Sequence, residues 1–312
     1  MLSNLFLISF TIFLLNNFVL SVDEPEIIKY YGYKCEIHKV TTKDGYILEM
    51  HRIPFGRNFN ENEENLKQKK PVVYLQHGLL ASSFDWVANL PNQSLGFILA
   101  DAGYDVWMGN VRGNVYSSKH EKSFLGKDEY WKFTWDEMAS IDLPAMVDKA
   151  LEISGQPKLF YVGHSQGTLI MFAQLASDNK EFKNKTRIVV YTKHEPAGTS
   201  TRNIAHWTQM QQTGLVQKFD YGTEKENKLI YGQNKPPIYN LTNINSVPIY
   251  LYYSDSDWLA TNKDVEETII KQIPKENIKA KKLPNFNHFD FIWGMNAPEK
   301  IYKEMIEEIK GN

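Results

Sequence analysis

A serine with glycine two residues to either side, Gly163-His164-Ser165-Gln166-Gly167, can act as a nucleophile if the chain turns sharply enough around it. The residues before it, Leu159-Phe160-Tyr161-Val162, form an apolar run of strand length. Those after it, Thr168-Leu169-Ile170-Met171-Phe172, fit a helix. At the apex of a strand–turn–helix unit a serine is held strained with its Oγ exposed. Any side chain larger than glycine at the two flanking positions would strike the opposite arm. The helix that follows offers unpaired N–H groups, which favour developing negative charge. The five-residue pattern alone is weak, since ordinary glycine and serine usage produces it in roughly one chain in ten of this length. The strand and helix around it give it weight.

A serine hydroxyl needs a base to take its proton, and the base needs a carboxylate to orient it. In a doubly wound sheet these groups sit at the carboxyl ends of strands, and in α/β-hydrolases they follow in the order serine, acid, histidine. Of the eight histidines (His38, His51, His77, His120, His164, His194, His206 and His288), only His288 lies after the last strand-like run, Ile278 to Leu283. The acid is expected after Pro248 to Ser254, where Ser254-Asp255-Ser256-Asp257-Trp258 offers two candidates. Asp257 is preferred because it lies deeper in the turn, and Asp255 then serves as a turn or cap residue. An oxyanion needs two backbone N–H donors. One is expected from Gln166, the residue after the nucleophile, and the other from Leu79 in His77-Gly78-Leu79-Leu80, the loop after the third strand. Gly78 lets that backbone approach closely, and His77 is expected to brace the loop by packing and hydrogen bonding.

The elements that must carry these groups follow the same logic. Glu36 to Lys43 and Tyr46 to Ile53 alternate and join at Asp44-Gly45, a hairpin signal. Residues 57–70 are polar and charged and read as a solvated loop. Pro71 to Gln76 and Tyr104 to Met108 are apolar runs of the kind buried in parallel sheets, with a helix over Ser94 to Ala102 between them. Thr134 to Ile153 reads as a long amphipathic helix that kinks or restarts at Pro144, and Gly155 leads into the strand before Ser165. Beyond it, Pro248 to Ser254 and Ile278 to Leu283 are strands, and Asn262 to Gln272 and Pro298 to Ile309 are helices. This succession gives an α/β fold with a mostly parallel sheet flanked by helices.

Composition sets the remaining bounds. The chain has 312 residues, 42% apolar and 23% charged, with a formal net charge of −2, so neither nucleic acid nor an acidic solvating tail is indicated. Its length suffices to bury about three-quarters of the unfolded surface in one core. Leu5 to Leu15 is an apolar run too short for a bilayer, which takes about 20 residues, and Val19 and Ser21 place small residues before the acidic Val22-Asp23-Glu24. Residues 1–21 are therefore expected to be a signal peptide and 22–312 a hydrolase domain, with no integral membrane span once the signal is cut. The single cysteine, Cys35, excludes an intrachain disulfide and a cysteine-based metal site. Neither a metal nor a cofactor is expected. Sequons at Asn92, Asn184 and Asn240 fit passage through the secretory pathway as a glycoprotein.

Several longer segments make a resemblance specific. Asp44 to Leu48, Leu75 to Ser82, Asn89 to Leu95, Ala102 to Trp107, Gly109 to Asn114, Phe133 to Met138, Gly163 to Thr168, Pro196 to Ser200 and Asn287 to Trp293 together resemble the acid lipase family, the gastric and lysosomal lipases. The resemblance spans nearly everything from Tyr30 to Lys310. It implies an α/β-hydrolase fold, a triad of Ser165, Asp257 and His288, and oxyanion donors at Leu79 and Gln166. It also implies hydrolysis of triacylglycerols or cholesteryl esters at a lipid–water interface, in a secreted or lysosomal setting.

One departure stands out. Family members have a sixth core strand after the nucleophile helix and then a long, mostly helical cap, commonly with a disulfide. Here the nucleophile helix runs to about Asp178, and after a polar stretch the chain goes directly into Arg187-Ile188-Val189-Val190-Tyr191. The resemblance puts that run in a truncated cap over about 186–222, whereas its pattern equally suits a replacement sixth strand. The leading expectation is a serine ester hydrolase working through an acyl-enzyme. The alternative is a catalytically impaired lipid-binding or regulatory relative, because the cap and sixth strand are cut. A third reading is another hydrolase chemistry on the same fold, such as peptidase or thioesterase action.

Overall fold

The computed structural model describes residues 23–122, 126–177, 186–191 and 197–311. The expected signal peptide over 1–21 and the sequon at Asn184 lie outside the described residues. The described residues open with a short helix α1 (Glu24–Tyr30), followed by the hairpin β1 (Glu36–Thr41) and β2 (Tyr46–Ile53). Then come β3 (Val72–Gln76), α2 (Leu95–Asp101), β4 (Asp105–Gly109), the two-residue β5 (Lys119–His120), α3 (Leu143–Ser154), β6 (Leu159–His164) and α4 (Gln166–Ala176). The second half carries β7 (Thr186–Tyr191), α5 (Thr201–Thr213), α6 (Glu224–Tyr231), β8 (Ile249–Ser254), β9 (Ile278–Leu283) and α7 (Lys303–Lys310).

The strands form one sheet in the order β1-β2-β4-β3-β6-β7-β8-β9, with β5 beside β2. The hairpin and its contact with β4 are antiparallel, and every pairing from β4 through β3, β6, β7 and β8 to β9 is parallel. Every residue of β3 and β4 is buried, as befits strands covered on both faces. Alternate side chains feed two cores. Tyr74 and Trp107 pack with α3 and α4 on one face, while Val73, Leu75, Val106 and Met108 pack with α2 and α7 on the other.

The slot next to β6 is filled by β7. Its backbone pairs in register with β6 from Leu159↔Thr186 to His164↔Tyr191 and with β8 from Ile188↔Ile249 to Val190↔Leu251. The run that the resemblance put in the cap is thus a core strand. The segment above the sheet is correspondingly shorter at its start than the expected 186–222. An apolar extended run beside an open parallel edge is best satisfied by the hydrogen bonds it makes there.

The expected helix over Thr134 to Ile153 is present as continuous helical backbone from Trp135 to Ser154, irregular just before Pro144. A capped turn at Trp135–Glu137 passes through a wide π turn at Met138–Asp142 into α3, with Pro144, which has no N–H to give the preceding turn, directly after the irregularity.

The N-terminal helix is anchored by a buried charge. Glu24 and His51 are both 0% exposed, and the Glu24 carboxylate lies 2.9 Å from His51 Nδ1 while also accepting from the Ser83 hydroxyl. Glu49 takes the other ring nitrogen at 3.1 Å. Burial alone would lower the His51 pKa, but Glu24 and Glu49 outweigh it and push it up to about 10.

Candidate active site

Ser165 stands between β6 and α4 with φ 50° and ψ −117°, a conformation L residues hold only under constraint. Both arms of the turn supply that constraint. A Cβ on Gly163 would come within 2.8 Å of the Gly167 carbonyl, and one on Gly167 would run into the carbonyl oxygens of Gln76 and His77. Bare backbone at these two positions lets β6, the start of α4 and the end of β3 converge on one point. The Tyr161 hydroxyl closes the turn by donating to the Gly167 carbonyl at 2.6 Å.

The base and acid arrive on neighbouring loops. The β8–β9 register ends with Ser254 opposite Leu283, so the chain leaves both strands side by side. Ser254 Oγ ties the two loops together by accepting from the N–H groups of Ser256 at 3.1 Å and Phe286 at 3.2 Å. Asp257 is 3% exposed and His288 4%, whereas Asp255 is exposed. His288 Nδ1 lies 2.7 Å and 2.9 Å from the two carboxylate oxygens of Asp257, and Nε2 lies 3.3 Å from Ser165 Oγ. A carboxylate accepts, so the ring proton sits on Nδ1 and the Nε2 lone pair faces the serine. Asp257 is held in turn by the N–H groups of Leu259 and Ala260, both 2.9 Å from Oδ1.

Leu79 lies in the loop leaving β3, whose last residue Gln76 is in register with Gly163. Because the Gln76 and His77 carbonyls pack against Gly167, this loop runs beside the first turn of α4. His77 braces it. Its Nδ1 donates to the Gly78 carbonyl at 2.8 Å, and its Nε2 accepts from the Val111 N–H at 3.2 Å. Burial lowers the His77 pKa to about 4, so the ring is neutral. The Val111 loop is itself fixed by Arg112, whose guanidinium bridges the buried Asp142 and the exposed Asp44.

Gln166, 2% exposed, is clamped by residues that sequence reasoning did not single out. Its Oε1 accepts from Asn203 Nδ2 at 2.8 Å and from Trp207 Nε1 at 2.9 Å, both on α5, and its Nε2 lies 3.3 Å from Met138 Sδ. No local signal marks these partners, since the contacts span 37 and 41 positions. Beside them, His206 stacks on Trp135 with ring centroids 4.3 Å apart and donates to the Gln217 carbonyl at 2.8 Å; burial lowers its pKa to about 4. Exposed Trp258, Leu259 and Phe289 follow directly on Asp257 and His288. The sequon residues Asn92 and Asn240 are exposed. Among the described residues, no cluster of His, Cys, Asp and Glu could hold a metal ion, and no helix is long and apolar enough to cross a membrane.

Comparison with known proteins agrees with this fold. A model of a partial α/β-hydrolase lipase region matches residues 25–90, and a model of the α/β-hydrolase fold matches residues 71–219. The chain is 39% identical to lipase lipl-1 of Caenorhabditis elegans over 374 positions, covering 92% of this chain and 91% of that protein. It is 39% identical to gastric triacylglycerol lipase of Bos taurus, covering 92% and 90%, and 37% identical to human lysosomal acid lipase/cholesteryl ester hydrolase, covering 92% and 90%. The 374 aligned positions exceed the 312 residues of the chain, so at least 62 of them (374 less 312) face gaps here. Among solved structures, an esterase of Pyrococcus furiosus matches with a TM-score of 0.58 and 18% identity over 91% of this chain and 95% of that one, a likeness of fold. The chain belongs to the acid lipase family, the gastric and lysosomal lipases, which are serine ester hydrolases on the α/β-hydrolase fold.

Proposed function

We propose that this protein hydrolyses carboxylic esters of lipids through an acyl-enzyme on Ser165, in the secretory pathway or lysosome. The observation that carries this reading is the continuous chain of contacts from the strained Ser165 through His288 to the buried Asp257. Ser165 Oγ attacks the ester carbonyl carbon as its proton passes to His288 Nε2, and Asp257 stabilises the imidazolium. The negative oxygen is received by the N–H groups of Leu79 and Gln166. Collapse expels the alcohol, which takes the proton from His288. Water then attacks the acyl carbon with His288 again as base, releasing the acid and restoring Ser165. No cofactor enters these steps.

The impaired alternative loses much of its ground, because its premise of a missing sixth strand does not hold for a sheet continuous through β7. The gapped positions are best read as lost cap, which in the family would follow the nucleophile helix. A cap excludes water and shapes an acyl cleft. Trp258, 88% exposed, and Leu259, 60% exposed, offer apolar surface where an acyl chain would enter, but little remains to roof it. Short soluble esters should therefore be cleaved in preference to long-chain triacylglycerols, with little gain at an interface. The test is hydrolysis of p-nitrophenyl esters of graded chain length, and of triolein, at pH 5 and pH 8. The enzyme is protein secreted by a eukaryotic host, its N-terminus expected near Val22 and its sequons glycosylated. Faster turnover of triolein than of butyrate esters overturns the substrate reading, and an uncleaved, membrane-held product overturns the secretory one.

A further inference from the structure

The helix α5 grips the residue that follows the nucleophile. Gln166 occupies the first helical position after the elbow, so its N–H has no partner within the helix. The direction of that N–H is set by the backbone at Ser165 and Gln166 rather than by the helical ladder. Ser165 is strained, and a strained residue persists only where its surroundings over-determine it. The Gln166 side chain supplies such a constraint, because its amide oxygen is gripped by both Asn203 and Trp207. Asn203 is 0% exposed and committed on every side. Its Oδ1 accepts from the Trp135 N–H at 2.8 Å, its backbone N–H donates to Ser200 Oγ at 2.9 Å, and Nδ2 also reaches Thr199 Oγ1 at 3.1 Å. Ser200 in turn donates to the Phe133 carbonyl at 2.5 Å. The grip on Gln166 is thus bolted to the core through the 133–135 turn.

We infer that Asn203 and Trp207 are positioning residues for the oxyanion site, holding Gln166 so that its backbone N–H points where negative charge develops. This rests on the reading above, in which the Gln166 N–H is an oxyanion donor. Neither residue touches the reacting atoms, and both act through Gln166.

The variants that test this are N203D and W207F, assayed on p-nitrophenyl butyrate beside the parent protein and S165A. N203D keeps the acceptor for Trp135 but cannot donate to Gln166, and W207F removes a single N–H if N203D fails to fold. Loss of one oxyanion donor costs 10²–10³ in kcat, so a donor merely displaced should cost about 10²-fold in N203D and about tenfold in W207F, with KM within about twofold. Affinity for a trifluoromethyl ketone, whose hemiketal carries the same negative oxygen, should fall by the same factors. Active sites are counted by end-point labelling with a phosphonate. Fewer labelled sites with unchanged kcat per site would mean a purely structural role and overturn the inference. So would variants that match the parent while S165A is inactive, which leaves the ester-hydrolase reading intact. A parent protein that cleaves no ester and takes no phosphonate overturns both.

Discussion

Replacing Ser165 with alanine should lower kcat by on the order of 10⁶, leaving only the contribution of binding and the oxyanion donors. The size follows from the geometry. His288 Nε2 has the Ser165 hydroxyl 3.3 Å away, and without it the base has no proton to take and the carbonyl no attacking oxygen. KM for a short soluble ester should change little, because alanine removes one atom from a turn whose shape is set by Gly163 and Gly167. Kinetics on folded S165A, with phosphonate labelling of the parent followed by peptide mapping, check the assignment. A label on another serine would refute it.

Asp257→Asn should reduce kcat by up to about 10⁴, through the wrong histidine tautomer. The pattern of donors around the carboxylate makes this specific. The Leu259 and Ala260 N–H groups both point at Oδ1, so an asparagine would keep its carbonyl oxygen there. Its NH₂ would then occupy the Oδ2 position 2.7 Å from His288 Nδ1 and donate to it. His288 would carry its proton on Nε2, facing the serine, and could not act as base. Asp255→Asn, at an exposed position, should leave the rate nearly unchanged. The reverse ranking in steady-state assays at neutral pH would move the acid to Asp255.

What the sequence disclosed, and what it did not, divides along physical lines. The β3, β4 and β6 runs were legible because strands buried on both faces have little alternative to an apolar sequence, and the elbow because two close backbone approaches demand glycine. The order serine, aspartate, histidine along the chain follows from which strand ends can meet above a parallel sheet. The slot taken by Thr186–Tyr191 was legible only as one of two readings, replacement sixth strand or cap remnant, since an apolar extended run carries no label for its neighbour. The grip of Asn203 and Trp207 on Gln166, and of Glu24 on His51, was hidden because each joins residues tens of positions apart with no local pattern. The irregularity in the helix over 135–154 was legible through Pro144, although its form as a π turn at Met138–Asp142 was not.

The buried histidines also fix the range of acidity over which the fold is most secure. His77 and His206 are held neutral, with pKa values near 4 against about 6.5 when exposed. Their contribution is complete above pH 6.5 and drains away as pH falls towards 4, where His77 Nε2 would gain a proton facing the Val111 N–H. His51 works in the opposite sense. With its pKa near 10, its contribution is complete below pH 6.5 and is lost as pH rises through 10. The melting temperature should therefore trace a dome with its crest near pH 6.5, its acid limb shallower in His206→Gln and its alkaline limb shallower in His51→Gln. Limbs of unchanged steepness in those variants would exclude the histidines as their source. A chain built this way loses stability on either side of that crest, because acid presses protons onto two rings the fold keeps neutral and alkali strips one from a third it keeps charged. Its working limits are written into groups that never touch the ester.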